Sequence, residues 1–345
     1  MPPSTLSRHC LAFRWVTTCG NNISKKKLFQ TELQVDIYEK LPVPYGLVRF
    51  GVAPDHPEVK NCISTFNKTV TNPSVTYCGN VGLGRDVSLS SLRANYNSVL
   101  LTYGADEDRT LGIPGENLEN VMAAKDVVSL YNGVPGYQDL KVNLDTDTVL
   151  VVGIGNVALD VVRMLLTPVD QLRKTDVTEV WLEQLVKSKV ERVVVVGRRG
   201  PLQVSFTIKE LRELLKLDDV RTNVRKEDLV GVREALASVA RPRKRLTELI
   251  LKAGEGQSSK GESCKEWELK LFRSPLEFRS DGAGSKVSSV LLGVNRPVGE
   301  QVEDTGKREI LNTGLVLRYL ISMYSILTHP TCSLFQVHRV QICEC

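Results

Sequence analysis

The 345 residues carry 45 Lys and Arg against 40 Asp and Glu, with 42% hydrophobic and 25% charged residues. That is the composition of a soluble globular protein long enough for two domains. The formal charge of +5 lies in residues 1–31, which hold five basic residues and no acid, so charge excludes a nucleic-acid binder for the rest. Eight cysteines without a C-x-x-C pair and four scattered histidines exclude a zinc site by spacing, and no apolar run reaches membrane-spanning length.

In the leader, Arg8, Arg14, Lys25, Lys26 and Lys27 are interspersed with Ser and Thr, the pattern of an organellar transit peptide; a basic tail is the other reading. Residues 34–40, Gln-Val-Asp-Ile-Tyr-Glu-Lys, alternate like a strand and end with Glu39 placed to accept from a ribose hydroxyl. A dinucleotide fold would carry a glycine-rich turn about 20 residues earlier. Residues 16–22 instead read Val-Thr-Thr-Cys-Gly-Asn-Asn. Residues 42–57 form a Gly- and Pro-rich loop holding Leu47, Val48 and Phe50, and long irregular loops of this kind usually serve function. Residues 74–83 and 98–105 read as strands, and 123–131 as an amphipathic stretch.

Residues 147–200 carry the clearest pattern. An apolar run, Thr-Val-Leu-Val-Val at 148–152, turns on Gly153 and Gly155, and a helical pattern follows with Ala158 three after Gly155. The fingerprint is G-x-G-x-x-A: glycines let the backbone approach a pyrophosphate, and the helix N-terminus offers free N–H groups. A second apolar run, 193–196, ends in Arg198 and Arg199 where an acid would signal NAD; two guanidinium forks suit a 2′-phosphate. The other reading is a solvated loop. Arg198 lies 45 residues past Gly153, because a polar, helix-like insertion at 168–189 intervenes and is expected to pack outside the unit. Beyond it, 220–229 reads as polar connection, 253–263 as a mobile loop, and 267–272 and 287–294 as strands. The run Arg241, Pro242, Arg243, Lys244, Arg245 is either a solvated helix entrance or a docking patch for an acidic partner.

The loop Pro-Val-Pro-Tyr-Gly-Leu-Val-Arg-Phe-Gly-Val-Ala-Pro-Asp-His-Pro at 42–57 resembles the adrenodoxin reductase family. So do Arg-Arg-Gly-Pro-Leu-Gln-Val at 198–204 and Phe-Thr-Ile-Lys-Glu-Leu at 206–211. The likeness runs from about residue 35 to about 316. It implies an α/β fold of two dinucleotide-binding, Rossmann-like domains, the FAD domain incomplete and interrupted by an NADP domain. The corresponding segments are a leader at 1–31, a partial FAD domain at 32–104, an NADP domain at 105–316 and a divergent tail at 317–345.

The implied activity is electron transfer from NADPH via FAD to a [2Fe–2S] ferredoxin, serving mitochondrial cytochrome P450, steroid and iron–sulfur pathways. The implied address is the mitochondrial matrix, with at most peripheral contact with the inner membrane. Glu39, Leu47 and Leu83 would meet FAD. Gly153, Ile154, Gly155, Asn156 and Val157 would bind the NADP pyrophosphate, with Arg198 and Arg199 on the 2′-phosphate and Glu210 nearby. The family usually has Gln where this chain has Ile154. His56 and Asp160 would sit by the flavin; otherwise His56 is a turn residue before a proline and Asp160 a first-turn helix acid. Arg241 and Arg245 match the ferredoxin-binding arginines. The glycine-rich pieces that clasp FAD at each end have no counterpart here, which points to a truncated form, an alternatively spliced form or a faulty gene model. The alternative function is a non-catalytic NADP(H)-binding fragment.

Overall fold

The computed structural model describes residues 9–16, 32–96, 98–102, 110–256, 265–282, 284–299, 301–319, 334–337 and 340–344. Its contacts divide into two units, one of residues 1–52, 56–107 and 321–345, the other of 53–55 and 108–320.

In the first unit, β1 (His9–Val16), β2 (Glu32–Glu39), β3 (Val75–Cys78) and β4 (Ser98–Leu101) share a sheet with strands Leu334–Val337 and Val340–Glu344. β2 and β3 run parallel. β1 lies between β2 and β4 and is antiparallel to both. Part of the basic leader is therefore a sheet strand. The strand expected over 74–83 stops at Cys78, because Asn80 adopts a left-handed φ of 58° that no strand accommodates. Leu83 lies beyond it, bridged only to Val87. The strand expected over 98–105 ends at Leu101, and its Gly104 turn lies outside the described residues.

The second unit contains β5 (Val121–Ala123), β6 (Thr148–Val152), β7 (Arg192–Val196), β8 (Val220–Val224), β9 (Lys265–Lys270), β10 (Arg273–Ser280), β11 (Val287–Val298), β12 (Gln301–Asn312) and β13 (Leu315–Arg318). Its main helices are α1 (Ala124–Tyr131), α2 (Asn156–Leu166), α3 (Glu179–Val186), α4 (Ile208–Leu215) and α5 (Arg241–Glu255). A parallel sheet of order β5-β13-β6-β7-β9-β8 forms the middle layer. The valine-rich runs of β6 and β7 are buried on both faces, and alternation sends successive residues to opposite sides. Val149, Val151, Val193 and Val195 pack with the helices. Leu150, Val152, Val194 and Val196 pack with Phe278, Val290, Leu292 and Leu311 of the antiparallel β10–β11–β12 sheet.

Two expectations change in this unit. The insertion at 168–189 does not pack outside the core: α3 buries Trp181, Leu182 and Leu185 in the helical layer, the leucines contributing roughly 1.5–3 kcal/mol each. Val220–Val224 is a strand rather than a polar connection. Its buried ends, Val220 and Val224, flank Arg221, Thr222 and Asn223, as suits an edge strand.

Candidate functional site

The turn after β6 is built from close backbone contacts. Gly153 has φ 128°, where L side chains rarely go, and a Cβ there would come within 2.8 Å of the Tyr319 carbonyl oxygen. The Gly153 N–H donates to the Val196 carbonyl at 2.9 Å, which joins the turn to the end of β7. Gly155 is the N-cap of α2, with no side-chain capping bond, so the first-turn amides of Asn156 and Val157 are left for an anion. Tyr319, at the end of β13, lies over this turn. Its N–H donates to the Val152 carbonyl at 2.9 Å, and its ring is 3.5 Å from where a Gly155 Cβ would stand.

Ile154 and Asn156 have side chains directed to structure. Ile154 belongs to the helical-layer core and leaves no room for a Cβ on Gly197, while its carbonyl accepts from the Ser205 N–H at 2.7 Å. The Asn156 Oδ1 accepts from the Thr207 N–H at 2.7 Å, and Thr207 caps α4. What Ile154 can offer a pyrophosphate is therefore its backbone N–H, while Asn156 can offer its backbone N–H and its side-chain Nδ2.

Arg198 and Arg199 are exposed just past β7, and among the described residues neither guanidinium makes an ion pair. Their backbone is fastened: the Gly197 N–H donates to the Lys270 carbonyl at 3.1 Å and the Gly197 carbonyl accepts from Arg273 at 2.9 Å. Two cations without ion pairs among the described residues, beside a glycine turn and a helix N-terminus, have the chemistry that suits a phosphate-rich anion.

Below this turn, α2 carries a buried cluster that the sequence did not reveal. The fully buried Arg163 donates to Asp55 at 2.7 Å, Asp160 at 2.6 Å and Glu210 at 2.9 Å. Burial raises the Asp160 carboxyl to about 6; Arg163 opposes the rise, while Glu210 and Asp55 add to it. Burial also raises the hydroxyl of the neighbouring Tyr131, with Asp160 adding to the effect. Asp160 is the fifth residue of α2, so it is not a first-turn acid stabilised by the helix dipole. Asp160 and Glu210, expected at different parts of the cofactors, meet on one guanidinium. A basic residue three after Asp160 was the available signal; its partners at 55 and 210 are too distant in sequence to pair by spacing.

The basic run opens α5. Arg241, Lys244 and Arg245 share one face and line a groove of about 410 Å³ with Leu236, Val239 and Glu248. Arg243 turns away from that face, its Nη1 donating to the Val204 carbonyl at 2.5 Å.

In the first unit, Glu39 is buried at the end of β2, its Oε1 accepting from the Leu41 N–H at 3.0 Å. Leu47 is exposed on the short helix Gly46–Phe50. His56 is buried, with Nδ1 3.6 Å from Glu58 Oε1, and precedes a four-residue helix beginning with Pro57.

The parallel sheet, the glycine turn into α2 and the arginine pair after β7 define a dinucleotide-binding α/β protein of the Rossmann type. No family-wide sequence profile matches the chain. It is 48% identical over 298 residues to the mitochondrial NADPH:adrenodoxin oxidoreductase of Salvelinus fontinalis, covering 84% of this chain and 60% of that protein. It is 60% identical over 219 residues to the corresponding Drosophila melanogaster protein, covering 64% of this chain and 47% of that one. Among solved structures, Mycobacterium tuberculosis FprA in complex with NADPH superposes with a TM-score of 0.80 at 37% identity, covering 85% of this chain and 65% of that one. Over the matched residues the chain belongs to the adrenodoxin reductase family. It spans about 60% of the length of the curated relatives.

Proposed function

We propose that this chain takes part in NADPH oxidation coupled, through FAD, to reduction of a [2Fe–2S] ferredoxin. The observation that carries the NADPH assignment is the pair of exposed arginines, free of ion pairs among the described residues, beside a glycine turn and an uncapped helix N-terminus. Gly153, Gly155 and the backbone of Ile154, Asn156 and Val157 receive the pyrophosphate, and Arg198 and Arg199 hold the 2′-phosphate. What supports this reading is the turn itself: the Tyr319 carbonyl leaves no room for a side chain on Gly153, and the uncapped α2 N-terminus leaves amides open to a pyrophosphate.

The fit to FAD is partial. Glu39 supplies a buried ribose acceptor at the end of a parallel strand pair, but β1 pairs antiparallel with β2, its last residue Val16 opposite Glu32 at the far end from Glu39. FAD, when bound, accepts a hydride from NADPH and gives up electrons singly. Leu47, Leu83 and His56 are the residues proposed to flank it. Asp160, with its raised carboxyl, holds or releases a proton according to pH, and Arg163 fixes its orientation.

Arg241 and Arg245 steer an acidic ferredoxin from the exposed face of α5. The leader composition and the word "mitochondrial" in the relatives' names both support a mitochondrial address, in the matrix, reached by a transit peptide. Among the described residues no helix is long and apolar enough to cross a membrane, and the membrane contact we propose is at most peripheral.

The visible spectrum of the purified chain tests this reading. Flavin absorption near one equivalent, bleached by NADPH, is the expected result. A colourless protein that binds NADPH but stays colourless when FAD is supplied would overturn the reductase reading and leave an NADP(H)-binding module.

A further inference from the structure

The carbonyl oxygens of Arg198 and Arg199 are both taken by the antiparallel layer. The Asn295 Nδ2 donates to the Arg198 carbonyl at 3.1 Å and to the Ser274 Oγ at 2.8 Å. The Phe272 N–H donates to the Arg199 carbonyl at 3.3 Å, and the Asn295 N–H donates to the Phe272 carbonyl at 2.8 Å. Asn295 thus ties together three backbone segments that are far apart in sequence.

Two local irregularities place these groups. Phe272 adopts φ 53°, a left-handed conformation uncommon outside glycine, and that bend separates β9 from β10. Asn295 stands where the register of β11 with β12 slips, between Gly293 and Asn295. Bulges of this kind re-aim a side chain out of the ladder. The Phe272 ring lies against Gly200, where a Cβ would come within 2.3 Å of it. The loop is therefore clamped on both sides of the arginine pair, by an amide before it and an aromatic ring after it.

We infer that Asn295, with Phe272 beside it, is a positioning residue for nucleotide choice. It turns the carbonyl dipoles of Arg198 and Arg199 into the antiparallel layer, away from an incoming anion, and so fixes where the two guanidinium groups emerge. The inference rests on the NADPH reading above. A phosphate bound by two long side chains gains from a backbone already held in place, because less freedom is lost on binding.

The test compares NADPH with NADH, binding measured directly by nucleotide fluorescence on the whole chain, without turnover. Asn295→Ala and the similarly sized, uncharged Asn295→Leu each remove the amide donor. Each is expected to weaken NADPH about tenfold, the effect of losing one hydrogen bond, while NADH changes less than about twofold. Gly200→Ala, which pushes on the Phe272 ring from the other side and needs no unusual backbone angle, should give the same selective loss. A merely structural role would lower the melting temperature and weaken both nucleotides alike, and that outcome would overturn the inference, as would no change in either. An Arg198→Ala/Arg199→Ala double variant separates the two levels. If it loses NADPH selectively while the Asn295 variants do not, the positioning role alone fails. If it loses neither or both equally, the NADPH reading beneath it fails as well.

Discussion

The two units each present a strand ending near a polar anchor, Glu39 at the end of β2 and Arg198 after β7, and they differ in the direction of the strand that comes before it. In the second unit the strand before the anchor, β6, is parallel to β7, and the turn that leaves it opens directly into α2. In the first unit the strand before the anchor, β1, is antiparallel to β2, and its last residue, Val16, lies opposite Glu32, at the far end of β2 from Glu39. A correctly placed acid or arginine is thus only half of a dinucleotide site. Strand direction decides whether a helix N-terminus arrives beside it.

The largest effect that would sharpen this contrast is at Arg163. Arg163→Met leaves Asp55, Asp160 and Glu210 facing one another without their cation. Breaking a buried charge cluster from one side costs about 3–5 kcal/mol. Denaturant unfolding followed by tryptophan fluorescence reports this, because Trp181 and Trp267 are both core residues of the second unit. Unfolding at the wild-type midpoint would mean that the cluster does not hold α2 and α4 together.

Acid stability separates two carboxylates of the same unit. Burial would raise the Glu309 carboxyl, but hydrogen bonds from Lys270 and Arg273 outweigh it and hold it at about 2, below its ordinary 4.5. Its contribution is therefore complete above about pH 4.5 and is lost as pH falls toward 2. Asp160 has the opposite sign: its contribution is present below its ordinary 3.8 and lost as pH rises toward about 6. Glu309→Gln should flatten the acid branch of a stability–pH curve by about 1–3 kcal/mol, allowing for solvent screening. An unchanged acid branch would show that the network around Glu309 does not stabilise the second unit.

The legible parts of the sequence were those set by local pattern. The valine-rich runs, the glycines at 153 and 155 and the paired arginines announced β6, α2 and the end of β7 because each acts through its immediate neighbours. Val220–Val224 escaped notice because three of its five residues are polar, and only pairing with β9 makes it a strand. The Asp55–Arg163 pair spans 108 residues and the Asn295–Arg198 bond 97, so no periodicity connects either. β1 was hidden by the basic, Ser- and Thr-rich residues around it. Arg243 was indistinguishable in sequence from its exposed neighbours; the helical turn alone directs it to the Val204 carbonyl.

The smallest expected effect concerns α5. Charge reversal at Arg241 and Arg245 should slow association with an acidic ferredoxin and flatten its salt dependence, because steering fades as the Debye length shrinks from about 10 Å at 0.1 M to about 3 Å at 1 M. NADPH affinity should stay the same, as neither residue belongs to the glycine turn or the arginine pair. Stopped-flow association at several salt concentrations measures this. Identical rates and slopes for wild type and variant would reduce the run to a solvated helix entrance.

The most direct test of the second unit as a complete NADP(H) site is a titration of NADPH and NADH against the chain and its Arg198→Ala/Arg199→Ala variant. Each charge-assisted contact to the 2′-phosphate would contribute about 1.5–3 kcal/mol, so the double variant should lose at least about a hundredfold in NADPH affinity while binding NADH as before. Equal losses for both nucleotides, or none for either, would contradict the assignment of these arginines.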